Sequence, residues 1–272
     1  MQKAKLGLIT TGQGPRNEYV RFHRNLLWDL GVDCEIHIRN AQDSLTREQI
    51  RSLEPQPGDR VIGHHVHEIG ATGDRMGEGW REVHTKDRPL IPLFQNCIDS
   101  LEKEGVDAII LCCAEEYRTD DFHSNCPLIV PWIVMEEWVR TNTMYMNNPK
   151  VGILITDEKH REEDLNTWHS QPWMEKLKVV LDVNRGDNFA QALTHMKEED
   201  VDMILLWGYG LSLAPNDPMD LLTSGYEILG NIPYVTPQRL CIYQARNVLC
   251  PCLDERRYVG YVVNTPGTDP EK

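Results

Sequence analysis

The sequence contains no stretch of the roughly 18 to 20 consecutive apolar residues that a membrane-spanning helix requires. Residues 1–16 carry lysines and only a short apolar run, which is too short for the core of a signal peptide and indicates a buried first strand. The net charge of −14 argues against a nucleic-acid backbone or an anionic membrane as the main partner. We therefore expect a soluble, cytoplasmic protein that binds neither nucleic acid nor a membrane.

Motifs for common cofactors are also missing. The segment "GQG" at 12–14 lacks the spacing of a G-x-G-x-x-G dinucleotide fingerprint, and no Walker A sequence occurs. The "CPC" at 250–252 lacks the paired Cys-x-x-Cys spacing of a zinc site. The 8 cysteines are scattered and several lie in strand-like apolar runs, so we expect reduced thiols and not a disulfide framework. Nicotinamide and ATP chemistry are therefore not expected.

Short apolar runs alternate with amphipathic segments along most of the chain. "KLGLIT", "CEIHI", "AIIL" and "PLIVP" fill the first half, and "VGILIT", "KVVLDV", "MILLW" and "PYVTP" fill the second. The amphipathic segments at 90–105 and 188–200 are typical of helices. Continuous apolar strands separated by helices predict an α/β protein with parallel sheets flanked by helices.

The two halves resemble each other in order. "KLGLIT" at 5–10 matches "KVGILIT" at 150–156, and "EKEGVDAIIL" at 102–111 matches "KEEDVDMILL" at 197–206. "NCPLIVP" at 125–131 matches "NIPYVTP" at 231–237. Any α/β protein repeats strand, loop and helix, but three anchors in one order favour two similar lobes related by a pseudo-twofold. We place an N-terminal α/β lobe at 1–146 and a C-terminal α/β lobe at 147–272, with an active site in the cleft between them.

Ligands of open parallel sheets bind beyond the carboxyl ends of the strands. Two facing lobes would bring both sets of strand ends to one cleft. The candidate site therefore consists of the segments that follow the matched strands, namely 10–16, 112–117, 156–157 and 207–210.

These strand ends resemble those of the AroM-like family in the aspartate/glutamate racemase superfamily. "LITTGQGPR" at 8–16 is similar to the family's Gly-Gln-x-Pro-Arg turn, and "CAEEY" at 113–117 lies where the family often has Cys-Thr-Gly-Glu-Phe. The resemblance covers roughly residues 5–250 and implies a cofactor-independent enzyme. In the wider superfamily, two cysteines, one from each lobe, flank the α-carbon of a small carboxylate. Members with one cysteine decarboxylate or isomerise instead.

The sequence departs from the two-thiol pattern in its second half. Cys113 matches the cysteine of the first lobe, but Gly208 occupies the position of the second, and Trp207 replaces the usual acidic residue before it. Racemisation by two thiols is therefore in doubt. The resemblance implies Cys113 as the acid-base or nucleophilic group and Glu116 as its catalytic partner.

Cys113 needs a lowered thiol pKa to act as a base or nucleophile, and a helix N-terminus at the strand end would supply it. The alternative is a small buried hydrophobic residue. Cys112 points to the opposite side of the strand and is expected in the core. Glu115 and Glu116 follow directly, either as acid-base groups or as ordinary carboxylates of a helix's first turn.

The other strand-end residues are candidates for binding the substrate. In the first loop, backbone N–H groups could cradle a carboxylate and a guanidinium could hold it, although a plain turn that opens a helix is the alternative. In the second half, a glycine would leave room for a larger group. The expected substrate-binding residues are Thr11, Gly12, Gln13, Arg16, Ala114, Glu115, Tyr117, Thr156, Gly208 and Tyr209.

The segment 63–84 is rich in histidine and glycine. His65 and His67 have the period-two spacing that puts two imidazoles on one face of a strand. With Glu68 or His84 they could bind a transition metal, although no further ligand follows at a recognised spacing. A polar loop that covers the site is the alternative.

Together these patterns predict a cofactor-independent isomerase or lyase that acts next to the carboxylate of a small organic or amino acid. Two alternatives stay open. One is a metal-dependent hydrolase or lyase built on His65 and His67, and the other is a non-catalytic protein that binds a small carboxylate. The superfamily resemblance also makes a homodimer the expected assembly.

Overall fold

The computed structural model describes residues 3–57, 59–67, 79–155, 158, 161–183, 189–209 and 228–250. The strands within these ranges are β1 (Ala4–Thr10), β2 (Cys34–Asn40), β3 (Val61–His67), β4 (Trp80–Lys86), β5 (Ala108–Cys112), β6 (Leu128–Ile129), β7 (Lys150–Ile155), β8 (Lys178–Val183), β9 (Met203–Leu206) and β10 (Tyr234–Val235). The α-helices are α1 (Asn17–Asp29), α2 (Arg47–Ser52), α3 (Ile91–Lys103), α4 (Pro131–Thr143), α5 (Arg161–His169), α6 (Phe189–Glu198) and α7 (Pro237–Leu249). Short 3₁₀ helices lie at Arg88–Leu90 and Pro172–Lys176.

The strands form two four-stranded parallel sheets and one antiparallel hairpin. The first sheet has the order β2-β1-β5-β6, and the second has the corresponding order β8-β7-β9-β10. The hairpin pairs β3 with β4 and belongs to neither sheet. The predicted α/β class, with parallel sheets flanked by helices and a repeated unit, is confirmed.

Helix α3 shows why the amphipathic segments fold as they do. Its buried residues Phe94, Cys97, Ile98 and Leu101 recur at intervals of three and four, which places them on one face of a helix. That face covers the first sheet, where residues 108–112 of β5 are all buried. A strand buried on both sides has no polar alternation, and this explains the unbroken apolar run in the sequence.

The two halves also share specific interactions. Asp107 and Asp202 accept from the backbone N–H of Lys5 and Lys150, each at 2.8 Å, at the start of equivalent strands. Gly7 and Gly152 occupy matching positions. At each of them a side chain would meet the helix that packs on the sheet. In the third anchor, Pro131 and Pro237 open α4 and α7, where proline's missing N–H costs nothing. The repeat is therefore structural as well as sequential.

Helix α7 follows the last strand of the second sheet in the chain but packs on the first sheet. It packs on β5 and β1 of the first sheet and against its counterpart α4. One hydrophobic core accordingly contains residues of both halves, among them Leu6, Ile110, Ile153, Leu205 and Ile242. The division into lobes at 1–146 and 147–272 stays a prediction. No helix among the described residues is long and apolar enough to cross a membrane.

Candidate active site

Two adjacent cysteines end β5 and point to opposite sides of the first sheet. Cys112 lies in the core that both halves share, and Cys113 lies on the other side, in the cluster that contains Ile9, Phe94 and Tyr117. This agrees with the alternation of side chains along a strand. Cys112 is a core residue, as predicted, and Cys113 is the thiol at the strand end.

Hydrogen-bond donors surround the Cys113 thiol. The Thr11 hydroxyl from the β1 loop and the backbone N–H of Glu115 both act to lower the pKa of this thiol. Burial, and after it the negative charge of Glu115, nevertheless raise the pKa of Cys113 to about 12. The thiol is therefore protonated at neutral pH.

The expected helix N-terminus is not beside this thiol. Residues 113–127 form a loop, and the next helix begins only at Pro131. The expectation of a lowered thiol pKa was wrong, because burial dominates where no helix dipole opposes it. Because the next helix begins only at Pro131, Glu115 and Glu116 are loop residues and do not belong to a helix's first turn.

Glu115 and Glu116 share a guanidinium but differ in their surroundings. Nε of Arg60 lies 3.3 Å from a Glu115 oxygen, and its Nη1 donates to Glu116 at 2.9 Å. Glu116 also pairs with Arg118. Burial raises the pKa of Glu115 to about 7, although the positive charge of Arg60 opposes the shift. The negative charge of Glu115 acts directly on the Cys113 thiol, and the role of Glu116 as catalytic partner stays a prediction.

The second half contributes carboxyl groups to the same place. Glu163, at the start of α5, lies 4.0 Å from Nε of Arg60. Its neighbour Asp164 has a pKa raised to about 7, first by burial and then by the charge of Glu115. Glu115 and Asp164 therefore face each other from the two halves, with Arg60 beside both.

These two carboxyls should make the protein less stable as the pH rises. Their pKa values in the folded state lie above their ordinary values, so between about pH 4 and pH 7 the folded protein holds protons that the unfolded chain has released. Stability is present below that window and is lost across it. Urea unfolding at pH 5 and pH 8 should show a smaller difference for Glu115→Gln and Asp164→Asn than for wild type. Glu137→Gln, at an exposed site, is the control, and equal differences in all variants would contradict the assignment.

Tyr117 lies beside this group with an unused hydroxyl. Its side chain is fully buried and packs edge-on against Phe94, with ring centroids 5.6 Å apart. Burial, then the charges of Cys113 and Glu115, raise the pKa of Tyr117 well above its ordinary value. The hydroxyl has no hydrogen-bond partner. It is a donor available for an oxygen atom near the thiol.

The first loop is fixed by the hairpin. A side chain on Gly12 would place its Cβ 2.1 Å from the carbonyl oxygen of His65, so the loop can run under β3 only with glycine there. The backbone N–H of Gln13 donates to that carbonyl at 3.1 Å, and its side-chain oxygen accepts from the N–H of His67 at 3.2 Å. These contacts of Gly12 and Gln13 position the loop against the hairpin.

Arg16 neutralises a nearby acid. Its Nε donates to a Glu18 oxygen at 2.5 Å, and its guanidinium stacks on the Tyr19 ring, 4.6 Å from the centroid. The Arg16 side chain is 4% exposed, and its positive charge acts on Cys112. Arg16 is also the N-cap residue of α1, so the turn leads directly into that helix. The substrate-binding roles expected for this loop stay predictions.

The end of β9 crosses to the first half. Nε1 of Trp207 donates to the carbonyl of Ala114 at 2.8 Å, directly beside Cys113 in the chain. The Tyr209 hydroxyl lies 2.8 Å from Nε2 of His23. Ala114 and Tyr209 are therefore contacts between the halves. Gly208 lies between the two aromatic residues, and Thr156 lies outside the described residues.

His23 has a defined tautomer in this contact. Its Nδ1 lies 2.7 Å from the carbonyl of Tyr19, which can only accept, so Nδ1 carries the proton and Nε2 accepts from Tyr209. Burial lowers the pKa of His23 to about 4, which keeps the ring neutral. A buried neutral histidine of this kind links the halves.

The hairpin histidines do not form a metal site with their described neighbours. His65 and His67 lie on one face of β3, opposite Glu82 and Trp80 of β4. Within the described ranges, no three His, Cys, Asp or Glu side chains are placed to hold a metal ion. Glu68, one of the two further ligands considered with His84, lies outside those ranges.

Three site residues were missed from sequence. Arg60 precedes β3, Asp164 lies in α5 and His23 lies in α1, so none directly follows a matched strand. The region of Asp164 could have been found, because α5 follows β7 as α1 follows β1, but nothing in the sequence separates Asp164 from the other acidic residues of that first turn. Arg60 and His23 have no comparable signal in the sequence.

The fold is that of an α/β protein with two parallel sheets of corresponding strand order. The model of the family described as AroM protein matches residues 6–215. The chain belongs to this family. No curated protein matches it in sequence.

Solved structures give the same fold at low sequence identity. A maleate isomerase variant from Pseudomonas putida, solved with maleate, has a TM-score of 0.52 at 10% identity, with 91% of this chain and 92% of that chain covered. A glutamate racemase isoform from Bacillus anthracis has a TM-score of 0.47 at 12% identity, with coverage of 90% and 81%. An aspartate racemase homologue from Pyrococcus horikoshii has a TM-score of 0.48 at 11% identity, with coverage of 90% and 98%. The likeness to the maleate isomerase variant shows a shared fold.

Proposed function

We propose that the protein is a cofactor-independent isomerase or lyase that moves a proton at the carbon next to the carboxylate of a small organic or amino acid. One observation carries the proposal, namely that a protonated thiol at a strand end has the Thr11 hydroxyl and the Glu115 N–H acting on it, and shares a cluster with Tyr117, whose hydroxyl has no partner. Such an arrangement suits a carbanion that needs a proton on carbon and hydrogen bonds on oxygen.

In this proposal Cys113 acts as a general acid. Transfer of a proton from the substrate carbon to the ionised Glu115 carboxylate, or loss of carbon dioxide, would leave an enediolate, whose negative charge lies on oxygen. The Thr11 and Tyr117 hydroxyls would donate to that oxygen, and the S–H bond of Cys113 would break as a new C–H bond forms. Glu115, with its pKa of about 7, would return a proton to the thiolate.

The missing thiol of the second half favours chemistry from one side. Gly208 has no side chain that could carry a proton, so a second thiol does not act on the opposite face of the substrate. Decarboxylation or isomerisation needs only one proton donor at the carbon. The same glycine also favours a second candidate function, a binding protein for small carboxylates without catalysis.

Proton exchange in D₂O separates these candidates. Wild-type protein would be incubated with a panel of amino acids, hydroxy acids, malonates and unsaturated diacids, with and without a chelator, and each compound followed by NMR. We expect deuterium on the carbon next to a carboxylate at a rate that the chelator leaves unchanged. Binding without exchange would favour the non-catalytic protein, and loss of exchange with chelator would favour a metal-dependent enzyme.

The expected homodimer and cytoplasmic location stay predictions.

A further inference from the structure

The thiol at the end of β5 is closed off in this structure. Cys113 is 5% exposed, and Thr11 and Tyr117, which would assist it, are buried as well. A substrate carbon must come within bonding distance of the sulfur before a proton can pass between them. An element that covers the thiol must therefore move aside whenever a substrate enters.

The β3–β4 hairpin bridges the two loops that surround this thiol. Just before β3, Nε of Arg60 lies 3.3 Å from a carboxylate oxygen of Glu115, in the loop after β5. Further along β3, the carbonyl of His65 accepts from the N–H of Gln13 at 3.1 Å, in the loop after β1. Between these two contacts lies Ile62, which belongs to the same apolar cluster as the thiol. The strand β3 therefore passes over the thiol's side of the first sheet.

The hairpin can move without breaking either parallel sheet. Among the described residues, its two strands pair with each other and with no strand of the sheets. Moving it uncovers one face of one strand, which consists of Ile62, His64 and Val66. Moving a strand such as β5 would instead expose residues that are buried on both sides of a sheet, at a larger cost in apolar surface.

Gln13 fastens the hairpin to the rest of the first half. Its side-chain oxygen accepts from the N–H of His67 at 3.2 Å, and its side-chain nitrogen donates to the carbonyl of Gln42 at 3.3 Å, in the loop after β2. Nε2 of Gln42 in turn lies 2.7 Å from Nε2 of His64. Both glutamines are buried, where a hydrogen bond is electrostatically stronger than in water. The loops after β1 and β2 and the hairpin are thus joined at one amide.

We propose that the β3–β4 hairpin is a lid that opens to admit substrate to Cys113, and that the Gln13 side chain holds it closed. This inference rests on the proposed function and adds how a substrate would reach the thiol. Gln13 would be a positioning residue, because its amide is engaged by the protein in the closed state. Thr11 lies two residues earlier in the same loop, so closing the lid would also return its hydroxyl to the thiol.

Alkylation of the buried thiol measures this opening without any substrate. When the lid closes faster than the reagent reacts, the rate of alkylation is proportional to the population of the open state. Gln13→Met keeps the approximate size of the side chain and removes both of its hydrogen bonds. We expect iodoacetamide to modify Cys113 at least about tenfold faster in this variant than in wild type at the same pH. Mass spectrometry would locate each modified cysteine.

Two controls separate lid opening from a general loss of stability. Cys112 is 3% exposed and adjoins Cys113, but it lies on the other side of the sheet, in the shared core. Its alkylation in the same sample should not change. Gln49→Met makes the same substitution in the capping box of α2, and it should leave the rate at Cys113 unchanged.

The alternative results would overturn the proposal. Equal acceleration at Cys112 and Cys113 would show that Gln13 stabilises the whole protein and does not hold a lid. An unchanged rate at Cys113 would show that this amide does not control access to the thiol. A wild-type Cys113 that reacts as fast as an exposed thiol would show that nothing covers it. Because alkylation needs no turnover, each result is separate from the proton exchange that tests the function itself.

Discussion

Replacing Cys113 by serine should lower proton exchange on the true substrate by about 10²–10⁴-fold, the usual contribution of a positioned acid or base. A serine hydroxyl fits the space of the thiol and keeps a donor next to Thr11, so the substrate should still bind. It releases its proton to carbon far less readily than a thiol does. The loss should therefore appear in kcat, with KM nearly unchanged.

Cys112→Ser is the matched control for this prediction. It makes the same substitution one residue earlier, at the same depth, but on the side of the sheet that faces the shared core. Any general effect of a buried hydroxyl should appear in both variants. Exchange by Cys113→Ser at the rate of wild type would rule out the thiol as the proton donor, and an equal loss in both variants would indicate a structural effect.

Replacing Trp207 by alanine should lower the free energy of unfolding by about 3–5 kcal/mol, as is usual for a large aromatic side chain lost from a core. Trp207 packs against Trp132 of α4 and Trp168 of α5, with ring centroids 5.5 and 5.7 Å away. Its indole also donates to the Ala114 carbonyl at 2.8 Å. The substitution would leave a cavity between the halves and a buried carbonyl without its donor.

Two further variants separate these contributions in urea unfolding. Trp207→Phe keeps most of the ring but loses the hydrogen bond, and it should cost about 1–3 kcal/mol. Trp28→Ala removes an indole that is 65% exposed and should change stability by less than about 0.5 kcal/mol. If both alanine variants lost the same free energy of unfolding, the packing of Trp207 against Trp132 and Trp168 would not stabilise the protein.

The fold could be predicted from sequence because its signals are local and repeated. Each buried parallel strand appears as an unbroken apolar run, and residues such as Asp107 and Asp202 fix the start of equivalent strands by the same hydrogen bond. Cys112 and Cys113 were assigned to opposite sides by strand alternation alone. The period of a strand is enough for such assignments.

The chemistry of the site could not be predicted in the same way. The pKa of a thiol depends on how completely the surrounding chain buries it, and no local pattern near Cys113 contains that information. Arg60 is 55 residues from Glu115 in sequence, and Asp164 approaches only because the second half folds over the first. Its carboxylate looks in sequence like any acidic residue in the first turn of a helix.

The position of α7 also affects the order in which the chain can fold. Leu240, Cys241, Ile242 and Ala245 complete the core of a sheet whose strands are synthesised more than 100 residues earlier. A ribosome that has released only the first half has exposed the part of the apolar face of β1 and β5 that α7 covers in the native fold. The native contacts of that face are of long range, which slows folding and leaves a period of vulnerability to aggregation. The last described helix thus completes the cover of the first sheet.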